Sequence, residues 1–361
     1  MRILYITTIG GTMNFFKSLI NELVKEGNIV DIATNASVSP VSDFFADIGC
    51  KIFQIPTSRS PFSFGNIKAI RIIRNIAKNY DIVHCHTPLA GLATRIACKK
   101  LRKENKLKVI YTAHGFHFYK GAPVKNWLIY YPIEKICSRW TDVLITINKE
   151  DYAFAKNKMR AKQIEYVPGV GVDTTKFANI AIDKTKKREE LGVPSSSFVI
   201  LSIGELNKNK NHQIIIKAIS ELNNQNIIYL IAGVGSMKDK LLALSAKYKV
   251  NVLLLGYRKD VPELYKCSDL FVLPSIREGL NVSLIEAVSS GVNCIASTAR
   301  GNADICGTEE WLCRPLDSHG FAAAILNVVN GKSTQHKDQI DCDFKMFDYK
   351  NINNKMKEFY K

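Results

Sequence analysis

The residues best suited to chemistry lie in REGLNVSLIE, Arg277 to Glu286, between the apolar run LFVLPS and the small-residue string AVSSG. Two carboxylates, Glu278 and Glu286, stand eight positions apart around what reads as the start of a helix. Asn281 suits the N-cap: its side-chain oxygen takes one first-turn amide, leaving those of Val282 and Ser283 unpaired and the positive end of the helix dipole facing outward. A phosphate suits that end. Glu286, five residues past the cap, is placed about 7.5 Å along the axis at roughly 1.5 Å per residue. Carboxylates repel phosphate but accept hydrogen bonds from hydroxyl groups. The occupant that fits is a diphosphate with a hydroxylated ring on each side, which is the shape of a nucleotide sugar.

Three further sites carry side chains or glycines of interest. His114 closes the apolar run VIYTA and precedes Gly115, which places its imidazole at a strand end. Gly10 and Gly11, in TTIGGTMN, permit close backbone approach to a ligand at the first strand-to-helix turn, although the stretch lacks the G-x-G-x-x-G dinucleotide fingerprint. Gly233 and Gly235 allow another tight turn, with Val234 between them.

These residues need elements to hold them. Short β-branched runs alternate with segments of helical period: RILYIT, IVDIAT, KIFQIP, DIVHCH, VIYTAH, DVLITI and IEYVP, then FVILSIG, IIYLIAGVG, VNVLLLG, DLFVLPS and NCIAS. Polar residues appear only at their ends, as in parallel strands covered on both faces. With 361 residues, 46% of them apolar, two doubly wound α/β domains are expected, 1–168 and 169–346. The boundary is placed near Pro168, Gly169 and Gly171, where the charged run Asp183 to Glu190 also interrupts the pattern. A closing helix within 347–361, with Ile352, Met356, Phe359 and Tyr360 as its apolar positions, needs a docking face and is expected to return to the first domain. In such sheets ligands bind beyond the carboxyl ends of the strands, where His114 and the REGLN loop lie.

EGLNVSLIE resembles the E-x7-E motif of the retaining glycosyltransferases of family 4, whose fold, called GT-B, consists of two Rossmann-like domains facing a central cleft. The resemblance runs along the chain through TTIGGTMNF, TAHGFH, VPGVGVD, SIGELNKNKNH, IAGVGSMKDKL and GYRKDVPELYKCSDLFVLPSIREG. Within the family, TAHGFHFYKG is similar to bacterial enzymes that build capsule, exopolysaccharide and lipid-linked oligosaccharides from UDP-sugars. The resemblance implies that the first domain binds the acceptor and the second the nucleotide sugar. It implies that Glu286 holds the ribose and Glu278 the donor sugar, with Gly279, Leu280, Asn281, Val282 and Ser283 near the diphosphate and sugar. Lys210 then pairs with the diphosphate and stabilises the leaving group, His114 contacts the donor sugar near the reacting carbon, His117 lies toward the acceptor, and Gly11 lies near diphosphate and acceptor. Tyr257 and Arg258 are expected near the base. One position departs from the pattern: Glu205 stands where the family has arginine. Either Lys208 or Arg258 supplies the missing charge, or Glu205 pairs with Lys210 or Lys208.

The mechanism implied is transfer with retention, the leaving phosphate accepting the proton, so that no general-base carboxylate, cofactor or metal is required. The string DCD, Asp341 to Asp343, mimics the metal-binding DxD of another glycosyltransferase fold but lies in a polar connector. Two other readings remain: a nucleotide-sugar epimerase on the same fold, and a non-catalytic nucleotide-sugar-binding protein at the membrane.

Charge is uneven along the chain. Residues 1–180 carry 26 Lys+Arg against 13 Asp+Glu, net +13, and 181–361 carry 24 against 20, net +4. The basic half calls for an anionic partner. NIKAIRIIRNIAK repeats Lys68, Arg71, Arg74 and Lys78 at helical spacing, RIACKKLRKENKLK adds a positive run, and VKNWLIYYPIEK is aromatic and apolar. These segments are expected to rest the domain on an anionic inner membrane surface. Nucleic acid is not expected, because no aromatic-basic recognition motif accompanies the charge. Nine cysteines without metal-ligand spacing, no signal peptide and no apolar segment near the ~20 residues of a membrane span point to a cytoplasmic protein, peripheral on the inner face of a bacterial plasma membrane.

Overall fold

A computed structural model of the chain describes residues 1–58, 60, 63–307, 309–332 and 344–361. It divides into two compact units, Met1–Val170 with Lys350–Lys361, and Gly171–Tyr349.

In the first unit β1 (Arg2–Ile6), β2 (Ile29–Thr34), β3 (Ile52–Gln54), β4 (Ile82–His86), β5 (Lys108–Ala113), β6 (Val143–Thr146) and β7 (Gln163–Tyr166) alternate with α1 (Lys17–Lys25), α2 (Phe44–Asp47), α3 (Phe64–Ala77), α4 (Pro88–Lys103), α5 (Val124–Ser138) and α6 (Lys149–Lys158). The strands pair in parallel in the order β3-β2-β1-β4-β5-β6-β7. Successive side chains of a strand point to opposite faces. In β1, Leu4 and Ile6 enter one core with Val83, Val109 and Tyr111, while Ile3 and Tyr5 enter the other with Ile110 and Ile145.

The second unit runs α7 (Thr174–Asn179), α8 (Lys184–Glu190), β8 (Phe198–Ile203), α9 (His212–Glu221), β9 (Ile227–Ala232), α10 (Lys238–Tyr248), β10 (Asn251–Gly256), α11 (Val261–Cys267), β11 (Leu270–Leu273), α12 (Val282–Ser289), β12 (Asn293–Ser297), α13 (Arg300–Cys306), β13 (Leu312–Cys313) and α14 (Ser318–Val329). Its sheet is also parallel, in the order β10-β9-β8-β11-β12-β13. The closing helix α15 (Tyr349–Glu358) lays Ile352 and Met356, followed by Phe359 and Tyr360, into the core of the first unit beside Ile3 and Tyr5.

Two local readings need correction. Two-residue β13 is too short to show a strand pattern. The charged run after Asp183 is not an interruption but helix α8, with Asp183 accepting from the Lys186 amide at 3.0 Å. Its Lys187 and Arg188 are buried because carboxylates elsewhere in the unit meet them: Lys187 pairs with Asp260 and Glu263 at 2.7 Å each, and Arg188 with Asp269 at 2.7 Å. All eight cysteines among the described residues are buried free thiols. Asp341 to Asp343 lie outside the described residues.

In each sheet the strand order reverses once, at β1/β4 in the first unit and at β8/β11 in the second. Such reversals open the crevice where doubly wound sheets bind ligands, and both neighbouring strands deliver their following loops there.

Candidate active site

Beyond the β8/β11 reversal two loops lie side by side and are stitched together. Asn209 donates its side-chain amide to the carbonyl of Arg277 at 2.9 Å, and the Ile276 amide donates to the carbonyl of Asn209 at 2.8 Å. Asn211, in the left-handed conformation at φ 54° that asparagine tolerates, donates to the Pro274 carbonyl at 3.3 Å. This framework sets the Lys210 ammonium 2.7 Å from Glu278 Oε1. Both side chains are largely covered, at 18% and 12% exposure, so the pair is shielded from bulk water more than a surface salt bridge is. The backbone of the carboxylate loop is held from below: the Arg300 side chain donates to the Glu278 carbonyl at 3.3 Å. A Cβ on Gly301 would lie 1.9 Å from the Gly279 carbonyl oxygen, so only glycine lets α13 approach this loop.

The cap of α12 forms as the residue types require. Asn281 Oδ1 accepts from the Leu284 amide at 3.1 Å, and Val282 and Ser283, as the first two helical residues, have no intrahelical acceptor for their amides. Glu286 accepts from the Tyr265 hydroxyl at 3.0 Å, and the same hydroxyl reaches the Ser283 carbonyl at 2.9 Å. Burial pushes the Glu286 carboxyl up to about 7, with the Tyr265 hydrogen bond and the charge of Lys176 pulling the other way. The two glutamates are therefore inequivalent: Glu278 is ion-paired, whereas Glu286 is partly buried and its carboxyl is raised to about 7.

Glu205 is exposed on the loop after β8 and is not the partner of Lys210, whose ammonium goes to Glu278. The Arg258 guanidinium is held by both oxygens of Asp260, with Glu190 at 3.5 Å. The hydrogen bonds from Arg258, the strongest influence, hold the Asp260 carboxyl down at about 2. Tyr257 and Lys208 are exposed.

At the β1/β4 reversal of the first unit, His84 and His86 sit two positions apart on β4 and so point to the same face. His86 Nδ1 lies 3.1 Å from His114 Nε2. His84 Nδ1 lies 2.6 Å from the Tyr360 hydroxyl, which also bonds Tyr5, and its Nε2 lies 2.8 Å from Thr112 Oγ1. Burial holds the His114 imidazole down at about 4 and drives His86 well below the usual range, so both are neutral at pH 7. The Thr8 and Thr87 hydroxyls meet at 2.6 Å across the reversal, and Thr87 adopts φ 67°, ψ 146°, a region that costs a β-branched residue of order 1–3 kcal/mol. The close approach that Gly10 and Gly11 permit is internal: a Cβ on either would lie 2.3 Å or 2.7 Å from atoms of Ser39. His117 packs its ring 4.7 Å from that of Tyr130 on α5.

Sequence reasoning missed His86, Tyr265, Asn209 and Arg300. The alternation H-C-H at 84–86 was a usable signal for a polar strand face. Nothing local marks the other three.

Residues 183–340 match the family model described as glycosyl transferases group 1, and residues 2–148 match that described as glycosyl transferase 4-like. The Bacillus subtilis protein EpsD, named as a glycosyltransferase, is 39% identical over 283 residues, 76% of this chain and 74% of that one. This chain is a group 1 glycosyltransferase of the 4-like type. An Escherichia coli relative, named UDP-Gal:alpha-D-GlcNAc-diphosphoundecaprenol alpha-1,3-galactosyltransferase, is 31% identical over 81% of this transferase and 78% of its own length. Among solved structures, that of Anabaena Alr3699/HepE in complex with UDP has a TM-score of 0.80 at 19% identity, covering 100% of this chain and 99% of that one. WaaG, a glycosyltransferase involved in lipopolysaccharide biosynthesis, has a TM-score of 0.71 at 16% identity, covering 98% and 94%. The transferase thus has the GT-B architecture of two Rossmann-like parallel-sheet units. As a transferase it leaves the epimerase and non-catalytic readings without support.

Proposed function

We propose that this transferase moves a hexose or N-acetylhexosamine from a UDP-sugar, with retention, to a lipid-linked or polysaccharide acceptor in cell-surface glycan biosynthesis. The observation that carries the reading is the Lys210–Glu278 pair at 2.7 Å at the same strand reversal as the unfilled amides of Val282 and Ser283. A donor diphosphate takes the Lys210 ammonium and those amides, which releases Glu278 to accept from a hydroxyl of the donor sugar. Glu286 accepts from the ribose, Gly279 and Leu280 approach through their backbone, and Asn281 keeps the helix capped. His114 contacts the donor sugar, and Gly11 and His117 lie toward the acceptor.

The acceptor hydroxyl attacks the anomeric carbon on the side from which the diphosphate departs. The carbon–oxygen bond to the diphosphate breaks, the bond to the acceptor oxygen forms, and the hydroxyl proton passes to a phosphate oxygen of the leaving UDP. Lys210 and the helix amides stabilise the charge that develops there, so the reading assigns no metal and no cofactor. Support for UDP and for a polyprenyl-diphosphate acceptor comes from the name of the Escherichia coli relative and the ligand of the Anabaena structure. A cytoplasmic enzyme resting on the anionic inner membrane surface meets such an acceptor.

The test is a nucleoside-diphosphate release screen of purified protein against a panel of UDP-sugars and GDP-mannose with a lipid-linked acceptor extract, with product anomeric configuration determined by NMR. Turnover of GDP-mannose alone overturns the donor assignment, and an inverted product overturns retention.

A further inference from the structure

Helix α5 carries large apolar side chains on its outer as well as its inner side. Its inner side packs on the sheet: Trp127 and Tyr131 meet the rings of Phe118 and Phe154 with centroids 5.5–5.6 Å apart. Glu134 pairs with buried Arg95 at 2.8 Å. The outer side carries Val124, Leu128, Ile129, Ile133 and Ile136, each 36–72% exposed. At about 100° per residue these five fall within one half of the helix circumference. Lys125, Lys135 and Arg139 share that half, and Glu134, the single carboxylate of α5, is on the other. The neighbouring end of α4 adds Lys99, 4.4 Å over the Trp140 ring, while Arg102, ion-paired with Asp142 at 3.1 Å, donates to the Arg139 carbonyl at 3.2 Å.

We infer that the outer face of α5 is the element that enters an anionic bilayer surface, with Leu128, Ile129 and Ile133 among the acyl chains and Lys125, Lys135 and Arg139 at headgroup level. This rests on the reading of the transferase as one that works at a membrane, and it names the surface. Exposed apolar side chains ringed by long cationic ones are what a helix lying in the interface plane presents, the cations extending back to phosphates. Charge decides against a second copy as occupant: a two-fold contact sets the same patch against itself, so that Lys125, Lys135 and Arg139 meet one another while the single carboxylate of the helix, Glu134, is turned inward to Arg95. No helix among the described residues is long and apolar enough to cross a membrane, so the contact is lateral. The basic helix α3, which the sequence put forward together with this segment, keeps Lys68, Arg71, Arg74 and Lys78 exposed and contributes charge, whereas insertion belongs to α5.

Flotation of the full chain with vesicles tests this. Vesicles of phosphatidylglycerol and phosphatidylethanolamine should carry at least about tenfold more protein than vesicles of phosphatidylcholine alone. The double variant Leu128→Glu/Ile133→Glu should lose about tenfold of that binding, and Lys125→Ser/Arg139→Ser about threefold or more, with 0.5 M salt mimicking the second loss. Thermal unfolding and UDP binding by calorimetry should match the parent in both, which separates docking from folding and from the donor site. Unaltered flotation of Leu128→Glu/Ile133→Glu overturns the inference, as does a parent protein that binds no vesicle. A parent that sediments as a dimer, made monomeric by the same substitutions, overturns it in favour of a protein interface. If no variant binds UDP while flotation follows the expected order, the donor assignment falls and the docking face stands.

Discussion

Lys210 and Glu278, 68 residues apart in the chain, are joined by a 2.7 Å ion pair at the β8/β11 reversal. The residue proposed to neutralise a diphosphate is thus held, before donor arrives, by the residue proposed to read the sugar. The pair positions both groups and gives each a partner when the site is empty, which a half-buried charge requires.

Breaking the pair from either side should cost activity and leave the other charge unanswered. Lys210→Ala and Glu278→Ala are each expected to lower kcat/KM for UDP release by about 10²–10³. The double variant should fall little further than the worse single one, because groups that act as a unit are non-additive. Losses that multiply would show that the two work independently.

Glu286 should impose a pH dependence on donor binding. Its carboxyl is raised from 4.5 to about 7 by burial, and the ionised form is the better acceptor for ribose hydroxyls. UDP affinity should therefore rise between pH 6 and 8, and Glu286→Gln should flatten the profile in calorimetric titrations. Stability runs the other way. A folded-state value above the unfolded one contributes stability that is present below about 4.5 and lost as pH rises through about 7. Glu286→Gln should then narrow the difference in Tm between pH 5 and pH 8.

His114 should act as a neutral hydrogen-bonding group. With its imidazole held down at about 4 by burial, its titration cannot produce an acid limb between pH 6 and 8. Its orientation depends on His86 at 3.1 Å. His86→Ala is expected to lower kcat about tenfold with KM for donor changed less than threefold, a split that steady-state kinetics resolves.

Gly301→Ala tests the support beneath the carboxylate loop. A methyl group 1.9 Å from the Gly279 carbonyl must displace the loop or α13. The expected result is a loss of about 1–3 kcal/mol in urea unfolding together with weakened UDP binding. Gly307→Ala, at a position with no atom within 4 Å of the added carbon but with φ +72°, should lose stability with UDP binding retained.

Much of the fold was legible because its central strands are buried on both faces. Runs such as FVILSI and LFVL cannot be surface elements, and their alternation with helical segments leads to two parallel sheets. The cap at Asn281, the two glutamates around it and the excess of cations in the first half were equally local. A closing helix with its apolar positions on one side announced that it needed a core to dock on. By contrast α8 hid its nature, because Lys187 and Arg188 look like solvated charges until Asp260, Glu263 and Asp269 fold against them.

What the tertiary structure alone decided is which groups meet. Parallel order carries β8 next to β11, and so Lys210 finds Glu278 rather than Glu205, five residues before it in the chain. The same order sets Tyr265 against Glu286 and buries it enough to raise its carboxyl, turns Arg258 to Asp260, and brings His86 to His114. The outward face of α5 belongs to this class as well. A helix with large apolar residues on both sides has little periodic contrast to tell which half faces the sheet, and only the packing of Trp127, Tyr131 and Glu134 leaves Leu128 and Ile133 in contact with solvent.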